Sequence, residues 1–337
     1  MLFFGLHHLL RSKHLLIRHA HTITSETSAL VSTRDLSQPL SMGATKDFCK
    51  LHRFPAYLTT SPRRKIYDAF LFDNELDLLE IRLETLSTSV DYFVIVESTT
   101  TFTGLEKPLA LKHNWSRFSK FHHKIIHYAL TDPAKDARTT WDVERYQRNA
   151  LFDQVFPRLK GDQVAQKGDI IVVSDADEIP RPATMVVVRH CDIPERVTFR
   201  SQFYYYGFQF LHRGKQWPHG QATVFRGTKP GKTILPEDLK MESESIRNWW
   251  NSASIWNAGW HCSTCFKTLD EVLEKMASFS HTALNREDFR DKSRIIDRVR
   301  NGLDLWDREG QIYDRVDRNA DVPDYYQDKQ EQVQIFA

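Results

Sequence analysis

From Lys65 onward the chain switches repeatedly between two hydrophobic rhythms. Residues 66–72 form a short apolar run of strand length, with Asn74 and Glu75 just beyond it. Leu76, Leu79, Leu83 and Leu86 then recur at helical spacing, which predicts a helix over 75–87. Residues 91–97 (DYFVIVE) predict a second buried strand, and 123–128 a third, weaker one. Val143, Tyr146, Ala150 and Leu151 mark one face of a helix running from Trp141 towards Phe156, stopped by Pro157. Residues 170–173 are continuous in β-branched side chains, as in a strand covered on both faces of a parallel sheet.

Strands and helices alternating at this spacing predict an α/β fold built on a doubly wound, parallel or mixed sheet. In such sheets ligands bind beyond the carboxyl ends of the strands. The segments 73–75, 97–101 and 174–178 are therefore where chemistry is expected. After Pro182 the pattern changes. Residues 197–211 are rich in aromatics, and the run 203–210 reads as strand core; 222–226 predicts a further strand, 269–279 and 291–300 helices. Residues 1–64, rich in Ser, Thr and His with weak periodicity, are expected to be a largely irregular leader outside the core. That leaves one domain over 65–310 and an acid-rich surface extension over 311–337.

Composition narrows little. The 337 residues are 41% hydrophobic and 27% charged, ordinary for a globular protein. A net charge of +2 gives no global field to recruit nucleic acid or an anionic membrane. The apolar run at 1–6 is far shorter than the roughly 20 residues that span a bilayer, and the leader resembles a transit sequence more than a signal peptide. The four cysteines, Cys49, Cys191, Cys262 and Cys265, allow one or two bridges in an oxidising compartment. Cys262 and Cys265 also have the spacing of half a zinc site, with His261 or His281 to complete it, but no second pair follows. Asn114-Trp115-Ser116 is a glycosylation sequon, as a lumenal protein would carry.

The sharpest feature is Ser174-Asp175-Ala176-Asp177-Glu178-Ile179-Pro180, directly after the β-branched strand. Two carboxylates one residue apart at a sheet's carboxyl edge suit Mg²⁺ or Mn²⁺, which take oxygen ligands and share them with substrate phosphates. Such an ion neutralises a diphosphate leaving group. Asn74 and Glu75, Glu97 and Glu178 stand at strand ends as nucleotide contacts. Arg145 and Arg148, three apart on one predicted helix with Asn149 beside them, present guanidinium groups to a diphosphate. His261 and His281 are candidate late metal ligands. Trp260, Trp249, Trp250 and Trp256 suit either a sugar face or the core. Glu237, Asp238 and Asp270 are the candidate general bases, with surface carboxylates as the alternative. The residues alone thus imply a metal-dependent nucleotide-sugar enzyme.

The order of these signals resembles the GT-A pattern: an acid ending the second strand, an Arg-Asn pair, a Gly-Asp strand, then D-x-D. The fuller text is narrower. Residues 67–72, NELDLLEIRLETLS (74–87), FVIVEST (93–99), FTGLEKPL (102–109), QRN (147–149), GDIIVVSDADEIP (168–180) and AGWHCSTCF (258–266) resemble glycosyltransferase family 17 over about 65–307. That resemblance implies a GT-A fold and inverting transfer of GlcNAc from UDP-GlcNAc to a β-linked mannose of an N-glycan, the bisecting type. It also implies Mn²⁺ or Mg²⁺, an N-glycan or glycoprotein acceptor, and a Golgi membrane protein whose N-terminal anchor is missing or atypical here; the aromatic-rich half after Pro182 is expected to be the acceptor-binding part of the domain. Three alternatives stand beside it: another UDP-sugar or acceptor, a non-catalytic glycan-binding relative, and a nucleotidyltransferase, which residues 73–75 disfavour by lacking a Gly-rich loop.

Overall fold

The computed structural model describes residues 22–24, 27–28, 31, 41–58, 62–132, 134–241 and 251–329. The sheet is mixed. Its parallel half runs β4 (Ile170–Val173), β1 (Ile66–Phe72), β2 (Tyr92–Ser98) and β3 (Ile125–Leu130). These are the four strands the apolar runs predict. Both faces of β1, β2 and β4 are covered, which explains their nearly continuous apolar sequences. Ile66, Phe70 and Phe72 face one core with α2 (Leu76–Leu86) and α5 (Pro182–His190). Tyr67 and Ala69 face a second core with α4 (Thr140–Asp153). The α4 start is fixed by a capping box in which Thr139 and Asp142 exchange side-chain and backbone hydrogen bonds.

Chain order and strand order part company between β1 and β4. From β1 the chain winds through β2 to β3, then crosses back to place β4 on the other side of β1. The crevice beyond the carboxyl ends of β1 and β4 is a topological switch point, where doubly wound sheets bind ligands. Asp73–Glu75 and Ser174–Glu178 therefore meet there.

Antiparallel strands extend the sheet beyond β4: β8 (Trp217–Val224), β6 (Arg196–Tyr205), β7 (Gly207–His212) and β10 (Tyr313–Arg315). The twelve-residue β9 (Ser252–Ser263), not legible in the apolar pattern, pairs in parallel with β6 and antiparallel with the short β5 (Glu178–Pro180). Its approach needs Gly259, where a Cβ would lie 2.5 Å from the Ile179 carbonyl oxygen. The aromatic run is core as expected, with Tyr204, Tyr205, Tyr206 and Phe208 fully buried. The remaining helices are α1 (Met42–Leu51), α3 (Ala110–His113), α6 (Pro236–Lys240), α7 (Leu269–Ser278), α8 (Lys292–Asn301) and α9 (Asp324–Asp328).

Two expectations about the flanks fail. The described part of 1–64 is not outside the core: Ile23, Phe48, Cys49 and Phe54 are buried in the cluster beneath α5. A disulfide between Cys49 and Cys191 ties α1 to the end of α5. The described part of 311–337 also packs inward, with Val322 and Tyr326 buried against Leu78 and Ile81 of α2. Asp321 pairs with the buried Arg181, and Asp314 with Arg213 at the surface. Weak periodicity in short segments hides single buried anchors, which is why neither was visible. Cys262 and Cys265 form the second disulfide, so neither is a zinc ligand.

The first bridge closes a separation of 142 residues, and long loops lose the most chain entropy when crosslinked. Replacing Cys49 and Cys191 together by Ser is expected to lower unfolding stability by about 2–5 kcal/mol in chemical denaturation. An unchanged midpoint would show that α1 is not held through this link.

Candidate active site

A buried ion pair builds the site from below. Asp68 in β1 and Arg82 in α2 are both fully buried. Arg82 donates from Nε and Nη2 to the two Asp68 carboxylate oxygens at 2.8 and 2.7 Å. Its Nη1 donates to the carbonyl oxygens of Asp175, Ala176 and Glu178 at 2.8, 3.3 and 2.9 Å. Nη2 also reaches Ser174 Oγ at 2.5 Å, and the guanidinium lies over the Phe70 ring. The planar fork thus gathers the backbone oxygens of 174–178 inward. The turn is closed by Glu178, whose Oε2 accepts from the Asp175 amide at 2.9 Å and whose Oε1 accepts from Trp217 Nε1 at 2.7 Å.

Above this clamp Asp175 and Asp177 line a cavity of about 500 Å³. Asp175 is 43% exposed and lies 2.7 Å from Lys240 Nζ and 3.3 Å from Arg148 Nη2. Burial opposes its ionisation, but Lys240 and Arg148 together hold the carboxyl well below the usual carboxylate range. Arg148 also meets Glu144 at 2.5 Å and Glu237 at 2.7 Å. Asp177 is more enclosed, and its Oδ2 stands 3.5 Å from His261 Nε2. Burial pushes its carboxyl up, and the charge and hydrogen bond of His261, with Lys275 beyond, bring it below the ordinary value. On the facing wall Lys275 binds Glu75 at 2.6 Å and Lys107 binds Asp73 at 2.8 Å. Burial lowers the Lys275 ammonium, but Glu75 and Asp177 outweigh it and raise the group well above normal.

The cavity is therefore not an anion hole. Asp73, Glu75, Glu144, Asp175 and Asp177 line it against Lys107, Arg148, Lys275 and Arg308, five acids to four bases. Its lysines and arginines are already paired with carboxylates. A diphosphate entering alone would bring negative charge with nothing free to balance it.

The donor set fits a hard divalent cation at Asp177 and His261. Two ligand atoms each about 2.1 Å from one ion stand 3–4 Å apart, and the 3.5 Å gap between Asp177 Oδ2 and His261 Nε2 falls in that range. The His261 ring is held parallel to Phe203, with centroids 4.9 Å apart, and Trp217 packs against it, which aims Nε2 at Asp177. Its Nδ1 is buried with no hydrogen-bond partner among the described residues. Those residues contain no group of three His, Cys, Asp or Glu able to hold a metal, so a bound ion would draw its other ligands from substrate phosphate and water, as Mg²⁺ and Mn²⁺ do.

Of the residues expected from sequence, Asp175, Asp177, Arg148, Glu75, His261 and His281 line the cavity. His281 lies at its exposed rim, edge-on to Trp141. The others are elsewhere. Glu97 is fully buried, accepting from the Leu111 and Lys112 amides and bonding His127, so it caps α3. Asn74 bonds Glu274 through its amide side chain, Arg145 is exposed, and Asn149 Oδ1 accepts from the Glu237 amide. Glu178 serves the turn. Trp260 is buried under Arg181 with its Nε1 bonded to Asp321, so it is no sugar platform. Trp256 is covered by Arg200; Trp249 and Trp250 lie outside the described residues. None of the three base candidates lines the cavity: Glu237 is committed to Arg148, the carbonyl of Asp238 anchors Arg196, and Asp270 is 86% exposed on α7.

Sequence reasoning missed Lys240, Lys275, Lys107, Glu144 and the clamp. The clamp did leave a trace. Asp68 interrupts an otherwise apolar strand, and Arg82 falls on the same helical stripe as Leu79, Leu83 and Leu86. Charges at core positions signal a buried pair.

A sequence model of glycosyltransferase family 17 matches residues 37–317. Among curated proteins the chain is 26% identical over 261 residues to the β-1,4-mannosyl-glycoprotein 4-β-N-acetylglucosaminyltransferases of Rattus norvegicus and Homo sapiens. Each match covers 71% of this chain and 48% of the relative, so the chain spans about half the length of those enzymes. Among solved structures, a mannosyltransferase from Pyrobaculum calidifontis in complex with GDP-Man and Mn²⁺ aligns at 12% identity and a TM-score of 0.34, over 76% of this chain and 75% of that one. The inositol-1-phosphate CTP transferase of T. maritima aligns at 8% identity and a TM-score of 0.29, over 81% and 96%.

Arg82→Leu strands a buried carboxylate, and loss of one partner of such a pair costs about 3–5 kcal/mol. Denaturant unfolding should show that loss. Arg82→Leu combined with Asp68→Leu should recover part of it while leaving 174–178 without its anchor. A single variant as stable as the parent would contradict the clamp.

Proposed function

The chain belongs to glycosyltransferase family 17, and we propose that it transfers GlcNAc from UDP-GlcNAc to a β-linked mannose of a glycoprotein N-glycan with the aid of Mn²⁺ or Mg²⁺. The observation that carries this reading is the pair Asp175 and Asp177, held by the Arg82 clamp at the mouth of the sheet's switch point in a charge-paired cavity. The names of the curated relatives, at 26% identity, support the donor and acceptor.

In this reading Asp177 and His261 would hold the divalent ion, and when bound it would supply positive charge to the nucleoside diphosphate leaving group. Asp175 keeps Lys240 and Arg148 beside it, so ordered, charge-paired cations would stand near the departing diphosphate. Lys275 and Lys107 do the same from the β1 side. Two disulfides support an oxidising compartment, the lumen of the secretory pathway. Among the described residues no helix is long and apolar enough to cross a membrane.

Purified protein with Mn²⁺ and UDP-GlcNAc should glycosylate a biantennary N-glycan. Asp177→Asn should lower kcat by about 100-fold or more, the scale on which removing one charge-stabilising group acts, while the thermal midpoint stays near that of the parent. Excess EDTA should abolish turnover. Full activity of Asp177→Asn, or in EDTA, would reject the metal assignment, and transfer from a different UDP-sugar alone would reject the donor.

A further inference from the structure

At the mouth of the cavity, away from its charged floor, four rings stand in a row. Trp141, in the first turn of α4, meets His281 edge-on at 4.8 Å between centroids. His281 packs on Phe279 at 5.8 Å, and Phe279 stacks on Trp306 at 6.0 Å and 22°. All four line the cavity, and none belongs to the metal or diphosphate arrangement described above. Trp141 is 48% exposed, a large apolar face left to water.

The row is also built rather than loose. It spans three separate parts of the chain, and Ser280 locks the first two together. The Ser280 carbonyl accepts from Thr140 Oγ1 at 3.1 Å, and its hydroxyl donates to Glu144. Glu144 in turn holds Arg148, which touches Asp175. The ring row and the aspartate pair are thus joined through three side chains, with the capping box of α4 fixing the turn that carries Trp141. An exposed indole held in place by its neighbours costs little to order when a ligand arrives.

We propose that this aromatic row is the acceptor subsite, where the hexose that receives the transferred sugar stacks one face on Trp141. The inference rests on the transferase reading above and deepens it. A pyranose has an apolar face of axial C–H groups and an equatorial belt of hydroxyls. A fixed indole covers the face, while the half-exposed Arg308, lining the same cavity and paired with Asp304 through only part of its guanidinium, can donate to the hydroxyls. The nucleotide belongs deeper, beside Asp177 and His261, because its diphosphate would need the ion proposed there. The acceptor enters from solvent and therefore meets the exposed rim first.

Trp141→Ala and Trp141→Phe separate the possibilities, since an exposed side chain can be changed with little risk to the fold. With Mn²⁺ present, the alanine variant should bind UDP in calorimetry as the parent does, while the KM for a biantennary N-glycan rises about 3- to 10-fold, the worth of one stacked ring. Phenylalanine should recover part of that loss. Saturation-transfer NMR with the same glycan reads the subsite independently of turnover, and its signal should weaken in the alanine variant. UDP affinity falling in step with acceptor KM would assign the rings to the nucleotide and overturn the proposal. So would an unchanged KM or an unchanged NMR signal. Parent protein that binds the glycan through Trp141 but never turns over UDP-GlcNAc would instead sink the transferase reading and leave the subsite standing.

Discussion

Everything at the switch point depends on one fully buried guanidinium. Arg82 is neutralised by Asp68 and spends its remaining N–H groups on the carbonyl oxygens and hydroxyl of 174–178. A loop that follows a buried strand would otherwise have to satisfy those oxygens with water. With them turned inward, the side chains of Asp175 and Asp177 are left facing the cavity. A buried ion pair is weak evidence for stability, because desolvation offsets attraction. Here its value is geometric: it fixes two carboxylates within one rigid turn.

The electrostatics above the clamp follow a single logic. Asp175 is bound to two cations and serves to position them, whereas Asp177 meets an aromatic-clamped imidazole across a gap that an ion can fill. The two aspartates of one D-x-D motif thus have different environments and different tasks. Because the lining bases are paired, the cavity has little attraction for a bare diphosphate, and in the proposed reading the ion and nucleotide would arrive as a unit. Around this charged floor the aromatic rim offers a neutral surface, so on the proposed reading charge and hydrophobicity would divide the cavity between donor and acceptor.

Much of this was legible in the sequence, for a physical reason. β1, β2 and β4 are buried on both faces, so their composition is nearly uniform and their ends are sharp. The D-x-D pair stands at such an end, and its placement followed. What failed were residues whose environment is set by distant chain. Glu97 also ends a strand, but the amides of Leu111 and Lys112 claim its carboxylate. Glu237 is taken by Arg148 of α4, and Trp260 lies beneath Arg181, while the exposed Trp141 has nothing local to mark it. Lys240 and Lys275 look like ordinary helix-surface lysines until the fold points them at Asp175 and Glu75. β9 escaped notice because its apolar positions follow neither rhythm cleanly.

The central claim is that nucleotide and divalent ion bind together at Asp177 and His261. Calorimetric titration of UDP into the protein, with and without Mn²⁺, tests it most directly. The account predicts measurable UDP binding with Mn²⁺, a loss of about tenfold or more on removing the ion, and the same loss in His261→Ala with the ion present. Equal UDP affinity in all three conditions would contradict it.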